Sequence, residues 1–149
     1  AASRYGEPMT SGADAQADVD RLMGMALHLG KGRLAEAAEF DPIAILLDAD
    51  GRLLEVELDT SGLGKHPETE ELIDAAIAQL RLARSAAVGT ALVINTRLSK
   101  ERTDAIEVRL EHRQGMSMVV LLRYKRATFG NRTDYEAPTV YSSPPAIWR

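Results

Sequence analysis

Two kinds of apolar spacing alternate along the chain. From Asp14 onward, Val19, Leu22, Met23, Ala26 and Leu27 fall at i, i+3, i+4, i+7 and i+8, the stripe of an amphipathic helix. Asp14, Asp18 and Asp20 lie near its start and His28 and Lys31 near its end, the distribution the helix dipole favours. Gly30 and Gly32 predict its stop, and residues 33–39 a further short helical stretch ended by Pro42. Residues 43–47 are all apolar and rich in branched side chains, which predicts a buried strand. Asp48-Ala49-Asp50-Gly51 supplies a turn. Leu54, Val56 and Leu58 then alternate with Glu55, Glu57 and Asp59, so residues 43–58 predict an antiparallel hairpin.

Past a glycine-rich loop at 59–66, Pro67 opens a second helix whose stripe is Leu72, Ile73, Ala76, Ile77 and Leu80. Three strands follow. The first is residues 91–98. In the second, Ile106, Val108 and Leu110 alternate with Glu107, Arg109 and Glu111. The third is residues 116–126, after a Gln114-Gly115 turn. The fold class is α+β: a five-stranded, mainly antiparallel sheet, hairpin plus three-stranded meander, with two main helices chiefly on one face. The predicted core is Leu22, Ile45, Val56, Ile73, Ile77, Ile94, Val108 and Val120. Residues 1–13 lack a period and read as a flexible arm, 14–126 as a single domain, and 127–149 as an ordered extended arm.

Composition sharpens the last assignment. Of seven aromatic residues, five lie between Tyr124 and Trp148, beyond most of the strand pattern. A solvated tail has no use for such a concentration. The arm is therefore expected to bury Tyr141 and Trp148, in a contact between two subunits. The basic and aromatic residues Arg123, Tyr124, Arg126, Tyr135, Tyr141 and Trp148 form the candidate interaction surface.

Charge and residue usage remove several functions. The formal net charge is −4, which disfavours a charge-driven grip on nucleic acid. Cysteine is absent, so there is no disulfide framework, thiolate zinc site or cysteine nucleophile. No stretch approaches the ~20 apolar residues of a membrane span. A cytoplasmic protein is the expectation, and the arginine excess (14 against 4 lysines) suggests a bacterial source.

Catalytic and ligand motifs fail on inspection. The loop Asp59-Thr60-Ser61-Gly62-Leu63-Gly64-Lys65-His66 lacks the first glycine and the final Ser/Thr of a phosphate loop, and glutamates crowd the helix that follows. Asp48-Ala49-Asp50-Gly51 lacks the third ligand of a calcium loop. His28, His66 and His112 have no metal-ligand spacing. The pairs Glu55/Glu57 and Glu107/Glu111 read as solvated strand faces. No catalytic residue, metal or cofactor is expected.

The order helix, hairpin, helix, meander over residues 14–126 resembles the roadblock and longin group, which implies a central five-stranded antiparallel sheet. Phe40-Asp41-Pro42 followed by Ile45-Leu46-Leu47-Asp48-Ala49-Asp50-Gly51 resembles a bacterial α+β family of similar length, a likeness that carries no activity. The functional expectation is a non-catalytic interaction or scaffold protein, homodimeric and with an unidentified protein partner. The alternative is a small-molecule-binding domain or an unmarked enzyme with a pocket between the meander and the C-terminal arm.

Overall fold

The computed structural model describes residues 3–130 and 132–149, with side chains from Asp14 onward. It is α+β. Helix α1 (Ser3–Glu36) leads into the hairpin β1 (Ile43–Asp48) and β2 (Leu53–Val56), then α2 (Thr69–Ala83). Strands β3 (Ala87–Leu98), β4 (Thr103–His112) and β5 (Ser117–Arg126) form the meander, and β6 (Thr133–Tyr135) and β7 (Thr139–Ser142) follow. The antiparallel sheet has the order β2-β1-β3-β4-β5-β6, with β7 also pairing β5, and it curls into a half-barrel. None of the described helices is long and apolar enough to cross a membrane.

Among the described residues the sheet has seven strands where five were expected, because residues 133–135 and 139–142 of the C-terminal segment add to the edge of β5 as strands. The helices also do not share a face. Ile43, Ile45 and Leu47 of β1, Val93 of β3, Ile106 and Val108 of β4 and Val120 of β5 pack with Val19, Leu22, Ala26 and Leu34 of α1. Ala44, Leu92 and Ile94 point the other way and pack with Ile73, Ala76 and Leu80 of α2. Side chains alternate along a strand, so an all-buried run such as β1 needs cover on both sides. β4 and β5 alternate more openly, because α2 packs chiefly on β1 and β3.

α1 runs through Gly30 and Gly32. A Cβ on Gly30 would come within 3.2 Å of Ile106, so this glycine permits close approach of helix to sheet and does not end the helix. Leu22 sits over Gly89 in the same way: a Cβ there would lie 2.7 Å from its Cδ1. The backbone of residues 3–13, expected as an irregular arm, continues α1. β3 begins at Ala87, earlier than predicted, because Ala87 and Gly89 carry little strand signal.

The Asp48–Gly51 turn is an Asx turn: the Asp48 carboxylate accepts from the N–H of Asp50 and of Arg52, both at 2.9 Å. Those bonds, the Arg52 backbone first, hold its pKa below the ordinary carboxylate value. Pro67 precedes α2 and does not open it; the Glu71 carboxylate accepts from the Glu68 N–H at 3.0 Å.

Of the expected core, Leu22, Ile45, Ile73, Ile94, Val108 and Val120 are buried, and Val56 and Ile77 are half-buried against the α2 cluster. Leu22→Ala should cost about 2–5 kcal/mol in urea unfolding, and Ile77→Ala clearly less. Equal losses would contradict the assignment of the main core to the α1 side.

Candidate interaction surface at the C-terminal edge

β4 ends in two consecutive buried polar residues that face opposite ways. Glu111 is 7% exposed and His112 3%. On the α1 side, His112 Nε2 lies 2.9 Å from Asp18 Oδ2 of α1. The Gln114 N–H donates to Nδ1 at 3.2 Å, so Nε2 carries the proton and donates to Asp18. Both ring nitrogens are occupied by the chain itself. The pair pins α1 to the sheet.

On the α2 side, the Glu111 carboxylate gathers three consecutive backbone N–H groups of the C-terminal tail. Ala146 donates at 2.7 Å, Ile147 at 3.0 and 3.1 Å, and Trp148 at 3.2 Å. Successive N–H groups converging on one anion form a nest, here filled by an internal carboxylate. From α2, Arg81 Nε donates to the Ala146 carbonyl at 2.6 Å and Arg84 Nη1 to that of Ile147 at 2.7 Å. Ile147 is buried beside Leu80 and Leu92. Glu111, expected on a solvated face, is thus fully engaged by the tail that covers it.

The tail therefore returns over its own sheet. Ile147 is its anchor; Trp148 is half-buried, and Tyr141, expected to be buried, is 45% exposed. Between β4, β5 and the tail lies a cavity of about 190 Å³ lined by Arg109, Glu111, Met118, Ser143 and Pro144 among others. Small-molecule sites run to ~300–1,000 Å³.

The six residues expected as one surface are divided among three places. Tyr124, Arg126 and Tyr135 lie on the α1 side at the end of that helix. Arg126 Nη1 donates to the Leu34 carbonyl at 2.7 Å, and Lys31 Nζ sits 4.8 Å from the centre of the Tyr135 ring. Tyr124 is buried and accepts from Asn95 Nδ2 at 2.7 Å. Burial raises the pKa of both phenols. These three hold α1 in place. Arg123 faces the other way and is gripped by Glu101 at 2.7 and 3.1 Å and by the Thr139 hydroxyl at 2.9 Å. Glu101 first, then Tyr141, raises its pKa further above the ordinary range. Trp148 lies with the tail.

What remains available is the edge of the sheet. β6 and β7 pair consecutive stretches of β5 and form one broken edge strand. Residues 137–148 include no charged side chain. Within them Val140 is 58% exposed and Tyr141 45%. Val119 and Leu121 on the α2 side of β5 lie next to Tyr141 and Thr139 and are half-buried. The opposite edge is guarded: β2 carries Glu55, paired to Arg33 at 3.0 Å, and is flanked by Arg52, Glu57 and Asp59. β6 bears the Arg132–Asp134 ion pair, 3.1 Å. Val140 and Glu111 were missed in the sequence; the uncharged run 137–148 was the visible signal for the first, whereas nothing local marks Glu111.

Glu111→Gln should destabilise the fold by about 2–4 kcal/mol and free the tail. Trp148 is the sole tryptophan, so its emission should shift to the red while the far-ultraviolet circular dichroism is retained. An unshifted spectrum would show that Glu111 does not hold the tail. No protein-family model, curated protein or solved structure matches the chain.

Proposed function

We propose that this protein is a non-catalytic interaction module that works as a homodimer through the C-terminal part of its sheet. The observation that carries the reading is the β7 edge: unpaired on its outer side among the described residues, free of charge, and bearing the exposed Val140 and Tyr141. Sheet edges are ordinarily blunted by charge, short length, proline or cover. β7 is four residues long and proline confines it at both ends, but Thr139 to Ser142 themselves carry neither charge nor proline, and an uncharged edge of high β propensity is a template for another strand. The buried ionisable groups support the non-catalytic half of the reading. Glu111 and His112 spend their bonding capacity on the tail and on α1, which leaves neither free to exchange a proton with a substrate.

Sedimentation equilibrium tests this directly. The 16.2 kDa chain should approach twice its mass as concentration rises, and Val140→Lys should hold it at the monomer mass with its melting temperature little changed. A monomer at every concentration would refute self-association.

A further inference from the structure

We infer that the partner at the β7 edge is a second copy of β7, paired antiparallel about a two-fold axis through Tyr141, so that two sheets become one. The inference rests on the self-association proposed above and adds its register.

The register follows from which backbone groups are free. The Ser143 N–H donates inward to the Ser117 carbonyl at 3.3 Å, and the ladder from Met118↔Ser142 to Leu121↔Thr139 is regular. In an antiparallel strand, alternate residues direct both N–H and C=O to the same neighbour. Thr139 and Tyr141 therefore bond to β5, while Val140 and Ser142 turn theirs outward. Pro138 and Pro144, which have no N–H to offer, bracket the strand. The free edge thus presents two donor-acceptor pairs between two prolines.

A two-fold axis at Tyr141 sets Val140 against Ser142 of the partner subunit and Ser142 against Val140 of the partner subunit. Every outward N–H and C=O of the strand is then used, and the prolines fall opposite each other. A shift that pairs Val140 with itself places Ser142 opposite Pro138, and the Ser142 carbonyl goes without a donor. In the favoured register Tyr141 meets its twin as a non-hydrogen-bonded pair, where side chains come closest and aromatic pairs stabilise. Such an isologous contact closes on itself and forms no fibre. No like charges meet, because residues 137–148 have none. The tail does not obstruct the approach: Glu111 draws residues 146–148 back over the chain's own sheet.

The absence of cysteine makes the test clean. Under mild oxidation Tyr141→Cys should form a disulfide-linked dimer at least about tenfold faster than Leu54→Cys on the β2 edge, since non-hydrogen-bonded Cα atoms fall within disulfide reach. A mixture of Val140→Cys and Ser142→Cys, which keeps Tyr141, should cross-link mainly between unlike chains. Cross-linking of Val140→Cys to itself in preference to the mixture would overturn the register. A dimer by mass in which Tyr141→Cys is no faster than Leu54→Cys would overturn this edge as the contact while leaving the homodimer standing. A monomer by mass would remove both.

Discussion

The end of β4 fastens the two layers of this protein to its sheet. Glu111 and His112 are neighbours in sequence and point to opposite faces, as strand geometry requires. One binds the tail against α2, the other binds α1. Leaving a buried charge or imidazole without partners is expensive, so each residue makes its layer obligatory. Ile147 and Leu22 then contribute the apolar burial that these polar contacts position.

The edge depends on that anchoring. Arg81 and Arg84 hold the tail's carbonyls while Glu111 holds its N–H groups, so the chain beyond Pro145 is bound through its backbone. A tail held in this way turns inward after Ser143 and leaves the outer side of β7 open. Were it to run on along the edge, it would cover the groups that the proposed dimer uses. The same clamp that holds the tail therefore leaves open the edge that the proposed dimer would use.

Much of the α+β order was legible because apolar period survives in single elements. Val19, Leu22 and Ala26 mark α1, and Ile106, Val108 and Leu110 mark β4, whatever packs on them. Which face each helix covers was less legible, although the unbroken apolar run of β1 pointed to cover on both sides. Gly30 was misread because a glycine that lets a helix approach a sheet is written with the same letter as one that ends a helix. The site was the least legible part. Tyr124 and Arg126 look like a binding pair but secure α1, and Glu111 looks solvated until the tail is placed over it. Contacts separated by 35 or more residues leave no periodic trace.

Amide hydrogen exchange, resolved by residue and followed across concentration, tests the account most directly. The N–H groups of Ala146, Ile147 and Trp148 should be protected at every concentration, while those of Val140 and Ser142 should exchange freely when dilute and slow as the protein is concentrated. Free exchange at residues 146–148 alongside a protected β4 would contradict the claim that Glu111 anchors the tail and, through it, the edge.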